Sequence, residues 1–112
     1  MRLALYMRLA RIDDEAELDA FEDELLDRFG PLPDAAEVLM DHSRIRIGAR
    51  TLRIARIDAG PAAIALTPRR DFSADASRAD LTKKDGRLLL SEKTANDERI
   101  TRVRVLLETL GP

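Results

Sequence analysis

The side chains that could perform chemistry are few in this chain. Its 112 residues include no cysteine and one histidine, His42, which excludes a thiol nucleophile, a zinc–thiolate site and a histidine-rich metal centre. None of the four serines stands in the strained turn that exposes a hydrolase nucleophile. The five glycines are scattered and form no phosphate-binding loop. We therefore expect no catalytic residue, no bound metal and no cofactor, and a packing or hydrogen-bonding role for His42 at the margin of the core.

Carboxylates are the abundant reactive group, and most of them lie early in the chain. Residues 13–37 hold eleven carboxylates and a single arginine. Glu17, Glu24 and Asp27 fall within about 80° of one another by the helical period. A catalytic carboxylate needs burial or a specific neighbour to shift its pKa, whereas these are expected on the outer face of a helix. Two interpretations stay open at this point: a solvated surface, or a docking face for arginines of a partner.

A basic stretch follows the acidic one. Residues 44–70 hold seven arginines against Asp58, and those from Arg44 to Arg56 could contact nucleic-acid phosphates. Tryptophan is absent and only four aromatic residues occur, so stacking platforms for single strands are missing. A nucleic-acid contact module that uses residues 44–56 is the alternative function. Because the net charge is only -2, however, direct DNA binding by this chain is expected to be absent.

Hydrophobic spacing predicts two helices in the acidic region. The first covers residues 3–12, and the second begins where Asp14 and Glu17 have the spacing of a capping box. Gly30 ends the second helix, because glycine is favoured just past a helix end. The residues predicted to face the core are Leu5, Leu9, Ile12, Leu18, Phe21, Leu25 and Phe29, with Leu26 widening the stripe.

A third helix is predicted from Pro33-Asp34 to about Arg50. Its expected inner face consists of Val38, Leu39, His42, Ile45 and Ala49. The string that joins the second and third helices has a structural interpretation, in which Phe29 completes the core stripe, Gly30 caps one helix and Pro33 starts the next. Arg28 is expected to pair with a nearby acid or helix end.

The period then changes from helix to strand. Residues 54–58 and 64–66 alternate around a Gly-Pro turn, and Asp85-Gly86 favours a second hairpin. Residues 96–110 are predicted to form a closing helix. The expected fold class is α+β, with N-terminal helices, two short β-hairpins forming a small antiparallel sheet, and a C-terminal helix. We expect residues 1–112 to form one domain, cytoplasmic and without a membrane span or signal peptide.

Two segments resemble a known family. Residues 24–36 read Glu-Leu-Leu-Asp-Arg-Phe-Gly-Pro-Leu-Pro-Asp-Ala-Ala, which is similar to an element of the C-terminal domain of bacterial transcription-repair coupling factors. Residues 2–10 resemble the helix that opens the same domain, and residues 52–61 its first strand and turn. The likeness is close to about Pro68 and weaker beyond. Arg53 stands where the family commonly has glycine, so the entry into the first strand is expected to differ, and the middle segment is shorter than in many members.

The resemblance implies a non-catalytic regulatory domain, part of a longer DNA translocase driven by ATP. The catalytic motifs of that parent, and its contacts with RNA polymerase, UvrA and DNA, would lie outside this chain. The domain would mask the UvrA-binding domain of the same parent until the parent engages polymerase. Glu24 and Asp27 match acidic positions that face arginines of the UvrA-binding domain, and Glu17 lies on the same side of the helix.

Overall fold

A computed structural model describes residues 3–111 and shows an α+β fold, as predicted. The helices are α1 (Leu3–Arg11), α2 (Glu15–Phe29), α3 (Asp34–Leu52) and α4 (Arg99–Leu110), the strands are β1 (Ile54–Ala59), β2 (Ile64–Pro68), β3 (Thr82–Lys84) and β4 (Arg87–Leu90), and a short 3-10 helix covers Ala76–Ala79. None of the helices in the described part of the chain is long and apolar enough to cross a membrane. The chain packs as two compact units, one ending at Ile47 and the other starting at Gly48. That residues 1–112 form one domain stays a prediction.

The first unit is built on the inner faces of α1 and α2. Its core cluster consists of Leu5, Leu9, Ile12, Leu18, Phe21, Leu25, Met40 and Ile47. The Asp14 side chain caps α2, accepting hydrogen bonds from the backbone N–H of Ala16 at 2.7 Å and of Glu17 at 3.4 Å. Gly30 ends α2 with φ at 73°, a left-handed conformation that glycine adopts without strain. The cap and the stop fix the two ends of α2, and the burial of Leu18, Phe21 and Leu25 decides which of its acids face solvent.

Two predictions about core positions are wrong. Phe29 does not complete the core stripe, because it comes last in α2 and is 56% exposed, and Leu26 does not widen it, because it is exposed too. The inner face of α3 is also misplaced: Val38 and His42 are exposed. The buried residues of α3 are Ala36, Met40, Ser43 and Ile47. A serine and an alanine stand in that buried row, so the more hydrophobic neighbouring row gave a misleading signal.

The second unit holds a four-stranded antiparallel sheet in the order β1-β2-β4-β3. The two predicted hairpins are β1–β2 and β3–β4, and β2 joins them by pairing with β4. Asp85 and Gly86 both have positive φ, 52° and 76°, as a type I′ hairpin turn requires. The residues buried in this unit are Ile54, Ile64, Ala65, Leu66, Leu88, Leu90, Val103, Leu106, Leu107 and Leu110.

The first strand begins with a strained residue. Arg53 has φ at 64°, in the left-handed region that costs an ordinary residue roughly 1–2 kcal/mol. Its backbone carbonyl accepts a hydrogen bond from the N–H of Arg69 at 2.8 Å, which ties the start of β1 to the residue after β2. The backbone at this position therefore has the conformation that glycine favours, and the expectation that the strand entry differs from that of the family stays a prediction.

Candidate protein-docking site

The acidic residues of α2 fall into three groups, which differ in the cation that each one meets. All of them lie outside the buried row of Leu18, Phe21 and Leu25. Because the helix turns about 100° per residue, acids one or two positions apart face different neighbours. Their partners therefore decide which carboxylates are available to a second protein.

The first group consists of three carboxylates that pair with Arg44 of α3. Its guanidinium donates a hydrogen bond to Asp19 at 2.8 Å and lies 3.6 Å from Glu15 and 3.9 Å from Glu22. The Arg44 side chain is only 16% exposed. Burial acts to lower the pKa of Arg44, but the hydrogen bond with Asp19 and the charges of all three carboxylates raise it above its ordinary value. This group holds α2 against α3, but one guanidinium offsets only one of three negative charges, so Glu15 and Asp19, 68% and 59% exposed, still contribute negative charge to the surface.

Arg8 of α1 neutralises Glu24, one of the predicted docking residues. The guanidinium makes two hydrogen bonds to the carboxylate, at 2.5 and 3.3 Å, and lies 4.9 Å from the centre of the Phe21 ring. The hydrogen bond from Arg8 lowers the pKa of Glu24, with a smaller contribution from the charge of Arg28, 3.8 Å away. Both partners of the main pair remain open to solvent, with 50% and 40% of their side chains exposed.

The third group consists of Glu17, Asp23 and Asp27, which are all exposed. Within residues 3–111 their carboxylates take part in no ion pair or side-chain hydrogen bond. Asp23 and Asp27 are one turn apart and about 40° from each other around the helix axis. The sequence reasoning missed Asp23, although its spacing of four residues from Asp27 was a usable signal. These carboxylates are the ones that can accept cations from outside the unit.

An apolar groove lies in the same unit. It has a volume of about 570 Å³, and its lining residues are Leu5, Tyr6, Phe29, Pro31, Leu32, Pro33, Ala35 and Ala36. Phe29, two residues after Asp27, contributes an exposed ring, over which the Arg28 guanidinium lies at 5.1 Å. The groove therefore offers apolar surface close in sequence to Asp27, and Pro33 in its lining also accepts the first hydrogen bonds of α3 through its carbonyl.

The predicted nucleic-acid face over residues 44–56 is occupied by internal contacts. Arg46 donates hydrogen bonds to the carbonyls of Leu9 and Ile12, at 3.4 and 3.1 Å. Arg53 pairs with Asp71 at 3.4 Å, and Arg56 pairs with Asp58 at 3.0 Å. Together with the commitment of Arg44 to α2, these contacts leave the stretch with little charge for phosphates.

Across residues 3–111, no cluster of three or more metal-ligating side chains could hold an ion. His42 is exposed and does not line the apolar groove. What the arrangement can do chemically is present carboxylates and apolar surface to another macromolecule.

Comparison with known proteins identifies the family. The TRCF domain family model matches residues 1–79. The transcription-repair-coupling factor of Haemophilus influenzae is 47% identical over 60 residues, or 54% of this chain and 5% of that protein. The one from Rickettsia prowazekii is 28% identical over 119 residues, or 98% of this chain and 11% of that protein. The chain thus spans only a small part of the curated relatives that it matches.

The fold agrees with a solved structure. A crystal structure of the C-terminal domain of a transcription-repair coupling factor superposes with a TM-score of 0.74, at 17% identity, over 96% of this chain and 77% of that one. The family match covers well over half of the present sequence. The chain therefore belongs to the TRCF domain family.

Proposed function

We propose that this chain is a non-catalytic regulatory domain of a transcription-coupled DNA repair protein, and that it masks the UvrA-binding domain of its own parent. The observation that carries the proposal is the group of exposed carboxylates on α2, Asp27 among them, that pair with no cation of residues 3–111. Unpaired acids on one helix suit arginines of a facing surface. In this proposal the parent contacts RNA polymerase and UvrA through its other domains, which also make the DNA contacts of translocation.

The proposal gives different weights to the two central acids. Asp27 has no internal cation to give up among the described residues, so an arginine from the partner adds a new ion pair there. Glu24 already holds Arg8, so a partner arginine must replace or share that cation, and the net gain is smaller. Asp27 and Asp23 therefore carry most of the electrostatic attraction, and Glu24 contributes less than its position on the helix suggests.

Weak contacts suit a regulatory latch. An exposed ion pair contributes roughly 0.2–1 kcal/mol, so a few pairs with some apolar burial favour the closed state by a few kcal/mol. An equilibrium of that size leaves a small open population that a second binding partner can increase. A stronger interface would keep the UvrA-binding surface covered at all times.

The test is charge reversal in the intact coupling factor that carries this domain. Asp27→Arg replaces attraction with repulsion against the proposed arginines, so the open state becomes more populated and UvrA binds more tightly. We expect the affinity for UvrA, measured by titration calorimetry or surface plasmon resonance, to increase severalfold, and Asp23→Arg combined with Asp27→Arg to increase it further.

The matched control is Asp97→Arg, a charge reversal at an exposed carboxylate outside α2 that, like Asp27, pairs with no cation of residues 3–111. It should leave the affinity for UvrA unchanged, which separates a local effect from a change in net charge. Circular dichroism of each variant establishes that the fold is retained. Unchanged UvrA affinity in folded Asp23→Arg/Asp27→Arg protein would show that this face does not mask the UvrA-binding domain.

A further inference from the structure

Cations without internal partners are concentrated at one end of the sheet. Arg69, Arg70, Lys83, Lys84 and Arg87 are exposed, and within residues 3–111 none of them takes part in an ion pair or side-chain hydrogen bond. In contrast, nearly all arginines on the helices have carboxylate or carbonyl partners. We call these five residues the basic end.

Strand register brings the basic end together. Pro68, the last residue of β2, pairs with Ile54 at the start of β1, and Leu66 of β2 pairs with Leu88 of β4. The two arginines that follow β2 therefore emerge beside the β3–β4 turn, where Lys84 pairs with Arg87. Segments that are separate in the sequence thus deliver their positive charges to one edge of the fold.

The pairing of Lys84 with Arg87 is unfavourable for folding. Like charges directly opposite each other in an antiparallel pair destabilise a sheet, and Asp85 between them is the only nearby acid in the turn. Lys84 and Arg87 lie on one face of the hairpin, while Lys83 pairs with Leu88 on the other. Positive charge is therefore present on both faces of a short edge strand, where an extended polyanion could reach it.

A groove next to the hairpin supplies further polar groups. It is lined by Arg69, Lys83, Ser73 and Ser77, together with apolar residues and Asp75. The Asp75 carboxylate is engaged locally, since it accepts hydrogen bonds from the hydroxyl of Ser77 at 2.6 Å and from its N–H at 3.0 Å. These hydrogen bonds lower the pKa of Asp75 and favour its ionised form, so the groove wall carries two cations against one carboxylate, a net charge of +1, together with the hydroxyl of Ser73.

We propose that the basic end binds the phosphate backbone of duplex nucleic acid, without reading its sequence. The exposed large hydrophobic residues all lie elsewhere, at Leu3, Tyr6, Met7, Leu26, Phe29, Val38 and Val105. A protein interface of useful affinity needs buried apolar anchors, which the basic end does not offer. Lysines and arginines that attract phosphates by charge alone are sufficient for backbone contact.

The binding should be weak and sensitive to salt. If all five cations meet phosphates, the slope of log K against log salt approaches about -4.5, which corresponds to a loss of roughly 500-fold between 50 and 200 mM salt. The overall charge of -2 opposes association, so the contact suits a domain already held near nucleic acid rather than one that must find it alone.

The experiment measures fluorescence anisotropy of a labelled 20-base-pair DNA duplex titrated with this chain, at salt concentrations from 20 to 200 mM. We expect Lys83→Glu/Lys84→Glu to weaken binding at least tenfold and to reduce the magnitude of the slope by about 2. Lys93→Glu is the matched control. Lys93 is also exposed, but it lies at the opposite end of the sheet, because its neighbour Thr94 donates a hydrogen bond to Pro61 in the β1–β2 turn.

Three results would overturn the proposal. One is a flat titration at 20 mM salt, and another is a loss in Lys93→Glu equal to that in the double variant. The third is binding to poly-glutamate as tight as to DNA with the same dependence on Lys83 and Lys84, which would assign the basic end to acidic proteins. None of these results depends on the acidic face of α2, so the two proposals fail or succeed separately.

Discussion

The acids of α2 and the cations of the basic end are both exposed charge, but they stand in opposite relations to their own fold. Most carboxylates of α2 are paired internally, above all through Arg44 and Arg8. The cations of the basic end have no carboxylate partner among the described residues and, at Lys84 and Arg87, lie opposite each other in the hairpin. An abundance of charge in the sequence therefore does not indicate its availability, which depends on what each side chain meets after folding.

The largest expected effect on stability concerns the carboxylates of α2 that pair with Arg44. Arg44→Ala should destabilise the chain by about 2 kcal/mol, because it removes a charged hydrogen bond and leaves Glu15, Asp19 and Glu22 repelling one another along α2. Urea denaturation followed by circular dichroism measures the free energy of unfolding. Arg69→Ala, in the basic end, should change it by less than about 0.5 kcal/mol. Equal losses in the two variants would contradict the distinction between paired and unpaired charge.

A smaller effect on stability is expected at Arg53, whose strained backbone accepts a hydrogen bond from Arg69 of the basic end. Arg53→Gly should stabilise the chain by about 0.5–1 kcal/mol, because glycine relieves the left-handed conformation, which outweighs the loss of the exposed pair with Asp71. The control is Arg56→Gly, which also removes an exposed ion pair but lies in β1 without a positive φ, so it relieves no strain and should destabilise by a similar amount. Thermal unfolding of both variants measures the difference, and a loss of stability in Arg53→Gly would show that the Asp71 pair matters more than the strain.

The fold could be predicted from the sequence wherever local chemistry decides it. Asp14, Gly30 and the Asp85-Gly86 turn each use a side chain or a conformation that only a few residue types provide, and the elements they bound are found close to the predicted positions. The inner face of α3 could not be predicted, because its buried row includes Ser43 while Val38 lies outside it. There the packing of the first unit overrides hydrophobicity.

The candidate site was predictable in position but not in partners. The helical period placed Glu17, Glu24 and Asp27 on one side of α2, yet it carries no information about Arg8, which is sixteen residues from Glu24 and approaches from another helix. For the same reason, the sequence could not show that arginines between 44 and 56 have partners inside the fold. The basic end could not be predicted from the sequence, because its charges come from the end of β2 and from a hairpin. Only the strand register brings them together.

A third prediction concerns the balance between stability and binding in the basic end. Lys84→Glu should stabilise the chain by roughly 0.2–1 kcal/mol, because it turns a repulsive cross-strand pair with Arg87 into an attractive one. The same change should weaken binding to the DNA duplex, so stability and affinity move in opposite directions. Lys84→Glu/Arg87→Glu restores repulsion and should lose the stabilisation. If unfolding free energies of the three proteins are equal, the cross-strand repulsion has no energetic meaning.

The smallest effect concerns Arg8, the nearer of the two arginines that pair with Glu24. Because the hydrogen bond from Arg8 lowers the pKa of Glu24 below its ordinary value of 4.5, the pair stabilises the folded chain above that pH. This contribution is lost as pH falls through the lowered pKa. Arg8→Gln should therefore be slightly less stable than the unmodified chain at pH 7, and the difference should vanish towards pH 2. In the intact coupling factor the same variant frees Glu24 for the partner arginines, which strengthens the closed state and lowers the affinity for UvrA. The opposite change in UvrA affinity would mean that Arg8 orients Glu24 for docking instead of competing for it.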